Sequence, residues 1–110
     1  MAFNTVKPMI LAGQSLSQAV NVSTGVVNHL FVPADWRSAN LSFQVSPDNA
    51  IFFDVFDHDG REMLQAVRAG TAVPVDVTWT KGNWLKLRSG SCDAPVVQPV
   101  DCEFVIAIET

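Results

Sequence analysis

The chain has 110 residues and a mass of 12.0 kDa, which suits one domain with a single core and is too short for two. A hydrophobic fraction of 48% with 16% charged residues excludes a disordered chain, which carries too little apolar surface to offset the entropy of ordering. The net charge is −4 and the basic residues are scattered, so we expect no nucleic-acid partner. No apolar run approaches the roughly 20 residues that cross a bilayer, so we expect no membrane partner.

The first residues predict an extended segment. Residues 1–7 have neither a basic start nor a continuous hydrophobic run, so they do not match a secretion signal and we expect synthesis in the cytoplasm. Residues 3–11 mix apolar and polar side chains around Pro8, which cannot donate to a β-ladder, and they predict an edge strand or an extended arm. Such an arm, about residues 1–12 of a single domain spanning 1–110, can pack on its own domain or on a neighbour.

Short strands and turns follow this arm. Residues 19–22 predict a short strand, and the dense apolar run at residues 26–32 predicts a longer one. Residues 33–38 predict the one helical turn of the chain, in which Trp36 covers the end of the core.

The middle of the chain predicts a hairpin at the centre of a sheet. Residues 41–46 alternate apolar and polar side chains, as a half-buried strand does, and residues 47–49 are turn formers. Residues 51–56 carry apolar side chains on both faces, so we predict a central strand covered on both sides. The favoured turn dipeptide at residues 59–60 leads into a third predicted strand at residues 62–67.

The last part of the chain predicts three more strands. Residues 73–80 alternate most regularly, and Pro74 places at least the start of that strand at an edge or a bulge. Residues 84–88 predict a further strand. Residues 89–99 are small, polar and proline-rich, which predicts a surface loop, and residues 102–108 present alternate apolar side chains that close the core.

Many short strands joined by short turns are typical of an antiparallel sandwich. We therefore predict an all-β fold: an antiparallel two-sheet sandwich of about eight strands with a jelly-roll-like topology. The predicted core consists of Leu41, Phe43, Val45, Phe53, Val55, Val75, Val77, Leu85, Leu87, Phe104 and Ile106.

Three carboxylates lie close together in the sequence, at Asp54, Asp57 and Asp59. Carboxylates at such spacing can bind calcium, but no glycine stands at the sharp-turn position of a calcium loop and no glutamate follows at the required distance. We therefore predict no metal site. Asp57 and Asp59 are expected to serve the turn, and Asp54 is expected to meet Arg88 or Lys86 across the sheet.

No catalytic motif is present in the sequence. Nucleophilic catalysis needs a serine or cysteine beside an oriented base, and neither His29 nor His58 stands in such a motif. We predict no enzyme activity, no catalytic residue and no cofactor. Cys92 and Cys102 could close a small loop, but free thiols are the default in a reducing compartment.

The three tryptophans, Trp36, Trp79 and Trp84, could form a sugar-stacking platform with the seven phenylalanines. This leaves a carbohydrate-binding module for attachment to a host surface as an alternative function. Against it, Trp36 lies in a turn, Trp79 aligns with inward valines, and the chain has no tyrosine, the usual amphipathic ring for wet contacts. Packing in the core or in an interface is the favoured role.

Several segments together resemble small β-rich proteins encoded among the structural genes of tailed bacteriophages and prophages. The resemblance spans about residues 10–99 and consists of fold-determining pieces. The segments are residues 12–17 (Ala-Gly-Gln-Ser-Leu-Ser), 32–36 (Val-Pro-Ala-Asp-Trp), 41–48 (Leu-Ser-Phe-Gln-Val-Ser-Pro-Asp), 53–57 (Phe-Asp-Val-Phe-Asp), 85–90 (Leu-Lys-Leu-Arg-Ser-Gly) and 94–96 (Ala-Pro-Val).

The resemblance implies a virion component, localised to the particle after synthesis in the host cytoplasm. Such proteins work as repeated subunits that decorate or cement the capsid or join parts of the particle. The implied partners are the major capsid protein or other virion proteins, together with further copies of the chain in a homo-oligomer. The termini depart most from the family pattern. The side chains predicted to contact a partner are Phe3, Val6, Pro8, Trp36, Trp84 and Ile108.

Overall fold

The computed structural model describes residues 3–77, 80 and 82–110. These residues form ten β-strands and no helix, so none of them belongs to a helix that could cross a membrane. The strands are β1 (Phe3–Val6), β2 (Met9–Ile10), β3 (Val20–Asn21), β4 (Val26–Phe31), β5 (Leu41–Ser46), β6 (Phe53–Asp54), β7 (Ala72–Val77), β8 (Trp84–Ser89), β9 (Cys102–Glu103) and β10 (Val105–Glu109).

The strands form two four-stranded antiparallel sheets and one two-stranded ribbon. The first sheet has the order β1-β10-β4-β7, the second has the order β3-β8-β5-β6, and β2 pairs with β9. The pairs β1:β10, β3:β8, β4:β7 and β5:β6 are nested along the chain and alternate between the two sheets. A long hairpin rolled in this way is a jelly roll, so the predicted fold class is confirmed.

The core lies between the two sheets and follows the alternation of the strands. Of the predicted core, Leu41, Phe43, Val75, Leu85, Leu87, Phe104 and Ile106 are buried, and Val45 and Val55 are partly buried against them. A cavity of about 10 Å³ remains among these apolar side chains. That space is at the lower limit for a single water molecule, so the sandwich is filled by its own side chains. The Val77 side chain lies outside the described part of the structure.

The prediction of a central strand at residues 51–56 is wrong. Only Phe53–Asp54 forms a strand there, and this strand, β6, is at the edge of the second sheet. The Phe53 side chain is 59% exposed, so its place in the predicted core is also wrong. Residues 62–67 contribute two isolated bridges, Phe56 to Glu62 and Leu41 to Gln65, where a full strand was predicted.

Most of the other strand predictions agree with the structure. The strand predicted at residues 73–80 is β7, which ends at Val77; Thr80 lies in a turn, and residues 78 and 79 are outside the described residues. The run predicted at residues 102–108 is divided at Phe104 into β9 and β10. β4 and β8 match the predicted runs closely, and the predicted short strand near Val20 is β3. Pro74 lies in β7, which is an edge strand as the missing N–H of proline requires. β1 is the other edge of the first sheet and pairs with β10, so the N-terminal segment packs on its own domain.

One end of the sandwich is closed by Trp36 and Gln98. Trp36 is 5% exposed and its ring meets Phe104 edge-on at 5.2 Å, which confirms that it covers the core, although residues 33–38 form a turn and not a helical one. Gln98 is fully buried. Its Oε1 accepts from the Arg37 N–H at 2.9 Å, and its Nε2 donates to the Arg37 carbonyl at 3.1 Å and to Ser89 Oγ at 2.9 Å. The prediction that residues 89–99 form only a surface loop is therefore wrong at Gln98.

Candidate protein-docking surface

Four large apolar side chains are exposed along one short stretch of chain around β6. Ile51 is 63% exposed, Phe53 is 59% exposed, and Phe56 and Leu64 are each 49% exposed. Single exposed apolar residues are ordinary, but a cluster of large ones marks an interaction site. We call these four side chains the Phe56 surface.

The turn that precedes β6 is held by Asp48. Its Oδ1 accepts hydrogen bonds from Ser46 Oγ at 2.8 Å, from the Ala50 N–H at 2.9 Å and from the Ile51 N–H at 3.3 Å. These hydrogen bonds, the one from Ala50 foremost, lower the pKa of the Asp48 carboxyl because they favour its charged form. Asn49 takes the left-handed conformation that the turn requires, with φ at 59°. Ile51 is thus exposed by an ordered turn.

The turn that follows β6 is held in the same way by Asp57. Its Oδ1 accepts from the Asp59 N–H at 2.9 Å and from the Arg61 N–H at 3.0 Å, and its own N–H donates to the Arg61 carbonyl at 2.7 Å. Gly60 supplies the positive φ of 81° at the tip. The prediction that Asp57 serves the turn is confirmed, and the two turns fix the chain on both sides of Phe56.

Arg88 joins this segment to the body of the second sheet. Its side chain is 9% exposed and donates from Nη1 to Asp54 Oδ1 at 2.7 Å and from Nη2 to Glu62 Oε2 at 2.9 Å. Its Nε donates to Ser42 Oγ at 2.9 Å, so the whole guanidinium is engaged. The hydrogen bond from Arg88 lowers the pKa of the Asp54 carboxyl, against a smaller opposing effect of burial. The predicted pairing of Asp54 with Arg88 is confirmed.

Glu62 extends the network to the loop after β8. Its carboxylate accepts from the Cys92 N–H at 2.9 Å, in addition to its ion pair with Arg88. Both cysteines are free, and burial is the main cause that raises the pKa of the Cys92 thiol above its ordinary value. The thiol is therefore kept protonated beside the Glu62 carboxylate.

The register around β6 places the exposed side chains on both sides of the sheet edge. Phe56 is opposite Glu62 in a bridge, so these two share the outer face with Arg88, and alternation puts Leu64 there as well. Phe53 pairs with Val45, a residue of the inward face, at the open edge of the sandwich. Val55 and Met63 of the same segment pack against the core. The Phe56 surface therefore extends over both faces of the sheet at the β6 edge, and the packing of Val55 and Met63 holds its segment against the core.

A cavity of about 260 Å³ opens beside Leu64. This volume is below the range of about 300–1,000 Å³ that is usual for small-molecule sites, so it fits a single inserted side chain better than a free ligand. Its walls are mostly apolar and small. They consist of Ala39, Asn40, Leu64, Gly90, Ser91, Ala94 and Val96.

Carboxylates border the Phe56 surface. Asp48 and Asp59 are exposed and Asp57 is half-buried, whereas Asp54 and Glu62 share an ion pair with the single guanidinium of Arg88. The nearest counter-group to Asp59 is His58, at 3.9 Å and almost fully exposed. Arg61 is exposed in the same turn, but these carboxylates outnumber it, so the surface has an apolar centre and a predominantly acidic border, which we call the acidic rim.

The structure does not bring the predicted partner-contact residues together. Pro8, Trp36 and Ile108 are buried in the core of this chain and offer no surface to a partner. Val6 is half-buried beside Ile106, and the Phe3 side chain lies outside the described part of the structure. We therefore do not retain Pro8, Trp36 and Ile108 as contact residues.

The tryptophan platform is not assembled by the described residues either. Trp36 is buried, Trp84 is half-buried on the outer face of the second sheet, and Trp79 lies outside the described residues. Among residues 3–77, 80 and 82–110, no group of three metal-binding side chains is found.

The residues of the Phe56 surface are not among the predicted partner contacts, because the pattern of residues 51–56 favours a central strand covered on both sides. Turn formers bracket this run closely, at Asp48 and Asn49 before it and at Asp57 and Gly60 after it. A run so short between two turns favours an edge strand, and dense apolar content at an edge predicts an exposed patch.

Comparisons with protein-family models, curated proteins and solved structures give no match to this chain.

Proposed function

We propose that this chain is a structural subunit of a bacteriophage particle, a protein that decorates or cements the capsid or joins parts of the particle. In this proposal it binds the major capsid protein or another virion protein through the Phe56 surface. The observation that carries the proposal is the exposure of four large apolar side chains on a segment fixed by two turns and by Arg88. A surface that is already ordered loses little entropy when it binds.

Two further features support the proposal. The resemblance of residues 10–99 to bacteriophage structural proteins gives the setting, and viral capsid domains are one class that uses the jelly roll. Lectins and cupins use the same fold, so the fold alone does not indicate the function, and the proposal depends on the Phe56 surface. The filled interior favours a role for the outer surface, since the cavity between the sheets is only about 10 Å³.

The acidic rim specifies the partner further. An apolar centre with Asp48 and Asp59 at its border is complementary to an apolar patch flanked by lysine or arginine. The cavity beside Leu64 can receive one apolar side chain of that partner. Repetition of the contact over many copies on a particle would strengthen it through avidity.

The test uses washed phage particles produced in a host that supplies a tagged copy of the chain. Its occupancy is measured by quantitative mass spectrometry. We expect wild-type chain to remain on the particle, and Phe56→Glu with Leu64→Glu to lower its occupancy at least about tenfold, since charges would be buried in an apolar contact. Leu11→Glu is the control, because Leu11 is 46% exposed and directly follows β2 of the separate β2–β9 ribbon, and we expect it to keep wild-type occupancy.

Absence of the wild-type chain from washed particles would refute the virion role. Equal occupancy of the double variant and the wild type would refute the Phe56 surface as the contact. Equal thermal melting temperatures for the double variant and the control would exclude misfolding as the cause of lost occupancy, since both carry substitutions at exposed sites.

A further inference from the structure

The outer face of the first sheet is a second surface, separate from the Phe56 surface. Ile106 and Leu30 point inward and are buried, so the alternate residues Val105, Ala107 and His29 point outward. Phe31 lies in the same outward set and is 44% exposed. We call the outward residues of β1, β10 and β4 the Phe31 face.

The register arranges the Phe31 face in rows across the strands. One row contains Val105 and Phe31, followed by Ala72 of β7. The next row contains Thr5, Ala107, His29 and Pro74, which are small or flat enough to let another sheet approach.

Two aromatic side chains of this face are already ordered. The rings of His29 and Phe31 stack with centroids 6.2 Å apart, and His29 Nδ1 lies 2.5 Å from Asn28 Oδ1. Side chains held in this way lose little rotamer freedom when a partner covers them.

The charges of the face lie at its ends and are opposite. Lys7 is exposed and continues β1 by one residue, which places it beside Val105, whereas Glu109 lies at the other end of β10. They are the only charged residues among the described outward side chains of β1, β10 and β4.

We propose that the Phe31 face binds the same face of a second copy of this chain. Copies with a net charge of −4 repel each other, so contact is favoured where the surface carries little charge. A twofold axis that runs across the strands through Ala107 and His29 places the Lys7 end of each copy over the Glu109 end of the other. The face is thereby complementary to itself in charge.

The size of the face makes this contact weak in solution. Three strands about 4.8 Å apart and five residues of about 3.4 Å each span roughly 250 Å² of flat area per copy. Two copies then bury well below the roughly 1,200 Å² of stable specific interfaces, so the dimer belongs to the weak class. The contact does not depend on what the Phe56 surface binds.

Sedimentation equilibrium of the purified chain from about 50 µM to about 2 mM tests the proposal, a range that covers weak contacts. We expect the average mass to rise from 12.0 kDa towards twice that value. Phe31→Glu should weaken the association at least about 30-fold, because it buries a charge beside Val105 in the apolar part of the contact. Phe56→Glu is the matched control, since that exposed aromatic lies on the other surface, and it should associate like the wild type.

A charge exchange tests the orientation of the two copies. Lys7→Glu alone and Glu109→Lys alone should each weaken association several-fold, and the two substitutions together should restore it, because the end-to-end pair is recreated with reversed signs. If Phe31→Glu does not fold, Lys7→Glu at its exposed position provides the same evidence. The proposal would be overturned if the wild-type chain stays monomeric at about 2 mM, or if Phe31→Glu associates as strongly as the wild type. It would also be overturned if Phe56→Glu loses association, or if the double exchange does not restore it.

Discussion

Replacement of Arg88 by methionine is expected to remove much of the stability of this domain. The Arg88 side chain is 9% exposed, and its two carboxylate partners, Glu62 and Asp54, are 11% and 35% exposed. Methionine keeps most of the volume of the arginine stem and removes the charge. The variant therefore isolates what the guanidinium does for Glu62 and Asp54.

The expected cost is about 3 kcal/mol at neutral pH. Removing one partner of a buried ion pair costs about 3–5 kcal/mol, because the remaining charge is left buried and uncompensated. We take the lower end since Asp54 is partly hydrated and Glu62 keeps the hydrogen bond from the Cys92 N–H. Neutralising the carboxylates as well, with Asp54→Asn and Glu62→Gln in the Arg88→Met background, should recover most of this loss.

The assay is urea unfolding followed by circular dichroism at pH 7. Lys86→Met is the matched control, because Lys86 lies on the same outer face of β8 and its Nζ is 4.4 Å from the Phe52 ring centroid. A half-exposed cation–π contact is worth about 1 kcal/mol or less, so this control should lose no more than that. A loss below about 1 kcal/mol in Arg88→Met, or an equal loss in Lys86→Met, would refute the reasoning.

The same variant predicts a change in acid sensitivity. The folded pKa of Asp54 is lowered by Arg88, so the stability from this pair is fully present above the ordinary aspartate pKa of about 3.9. It is lost as the pH falls from there through the lowered folded pKa. Arg88→Met lacks this interaction. Its stability should therefore fall less than that of the wild type over this acid range, as measured by urea melts at successive pH values.

Two further stability predictions follow from burial. Phe43→Ala should lower the free energy of unfolding in a urea melt by about 3–5 kcal/mol, because Phe43 is 6% exposed. Phe53→Ala should lower it by less than about 1 kcal/mol, because Phe53 is 59% exposed. Similar losses in the two variants would contradict the placement of β6 at the edge of the sheet. Gln98→Leu should cost about 2–4 kcal/mol because it leaves the Arg37 N–H and carbonyl and Ser89 Oγ without their partner. Gln65→Leu is the control: its side chain makes an exposed hydrogen bond to the Ala66 carbonyl, so the variant should lose under about 1 kcal/mol of unfolding free energy. An equally small loss in Gln98→Leu would exclude a structural role for Gln98.

Strand positions with a regular alternation were predictable from the sequence. Leu85 and Leu87 of β8 and Phe104 and Ile106 near the C-terminus face the core as the pattern indicated. The reason is local. Successive side chains of any strand point to opposite faces of its sheet, and in a sandwich only one of these faces meets the other sheet. The same pattern indicated a two-sheet sandwich, whereas the order of the strands along the chain favoured a jelly roll without fixing how the strands connect.

The candidate site was not predictable in the same way. The dense apolar run around Phe53 fits a central strand and an exposed edge equally well, because periodicity reports which residues alternate and not what covers them. Burial at this edge depends on β5, which pairs with β6 on one side and with β8 on the other. Arg88 and Gln98 were likewise assigned to a sheet face and to a loop, and both are buried.

The sequence by itself determined that this chain is an all-β domain with a single core, since alternation, turn residues and apolar content are properties of neighbouring residues. The tertiary structure decided which strand is at the edge, which polar side chains are buried and which apolar ones are exposed. These outcomes depend on contacts between residues far apart in the chain, such as Arg88 with Asp54, 34 residues away, and Gln98 with Arg37, 61 residues away. Burial of a polar group costs little only when the fold places a hydrogen-bond or ion-pair partner next to it. A partner that lies far away in the sequence cannot be identified from the local pattern of residues.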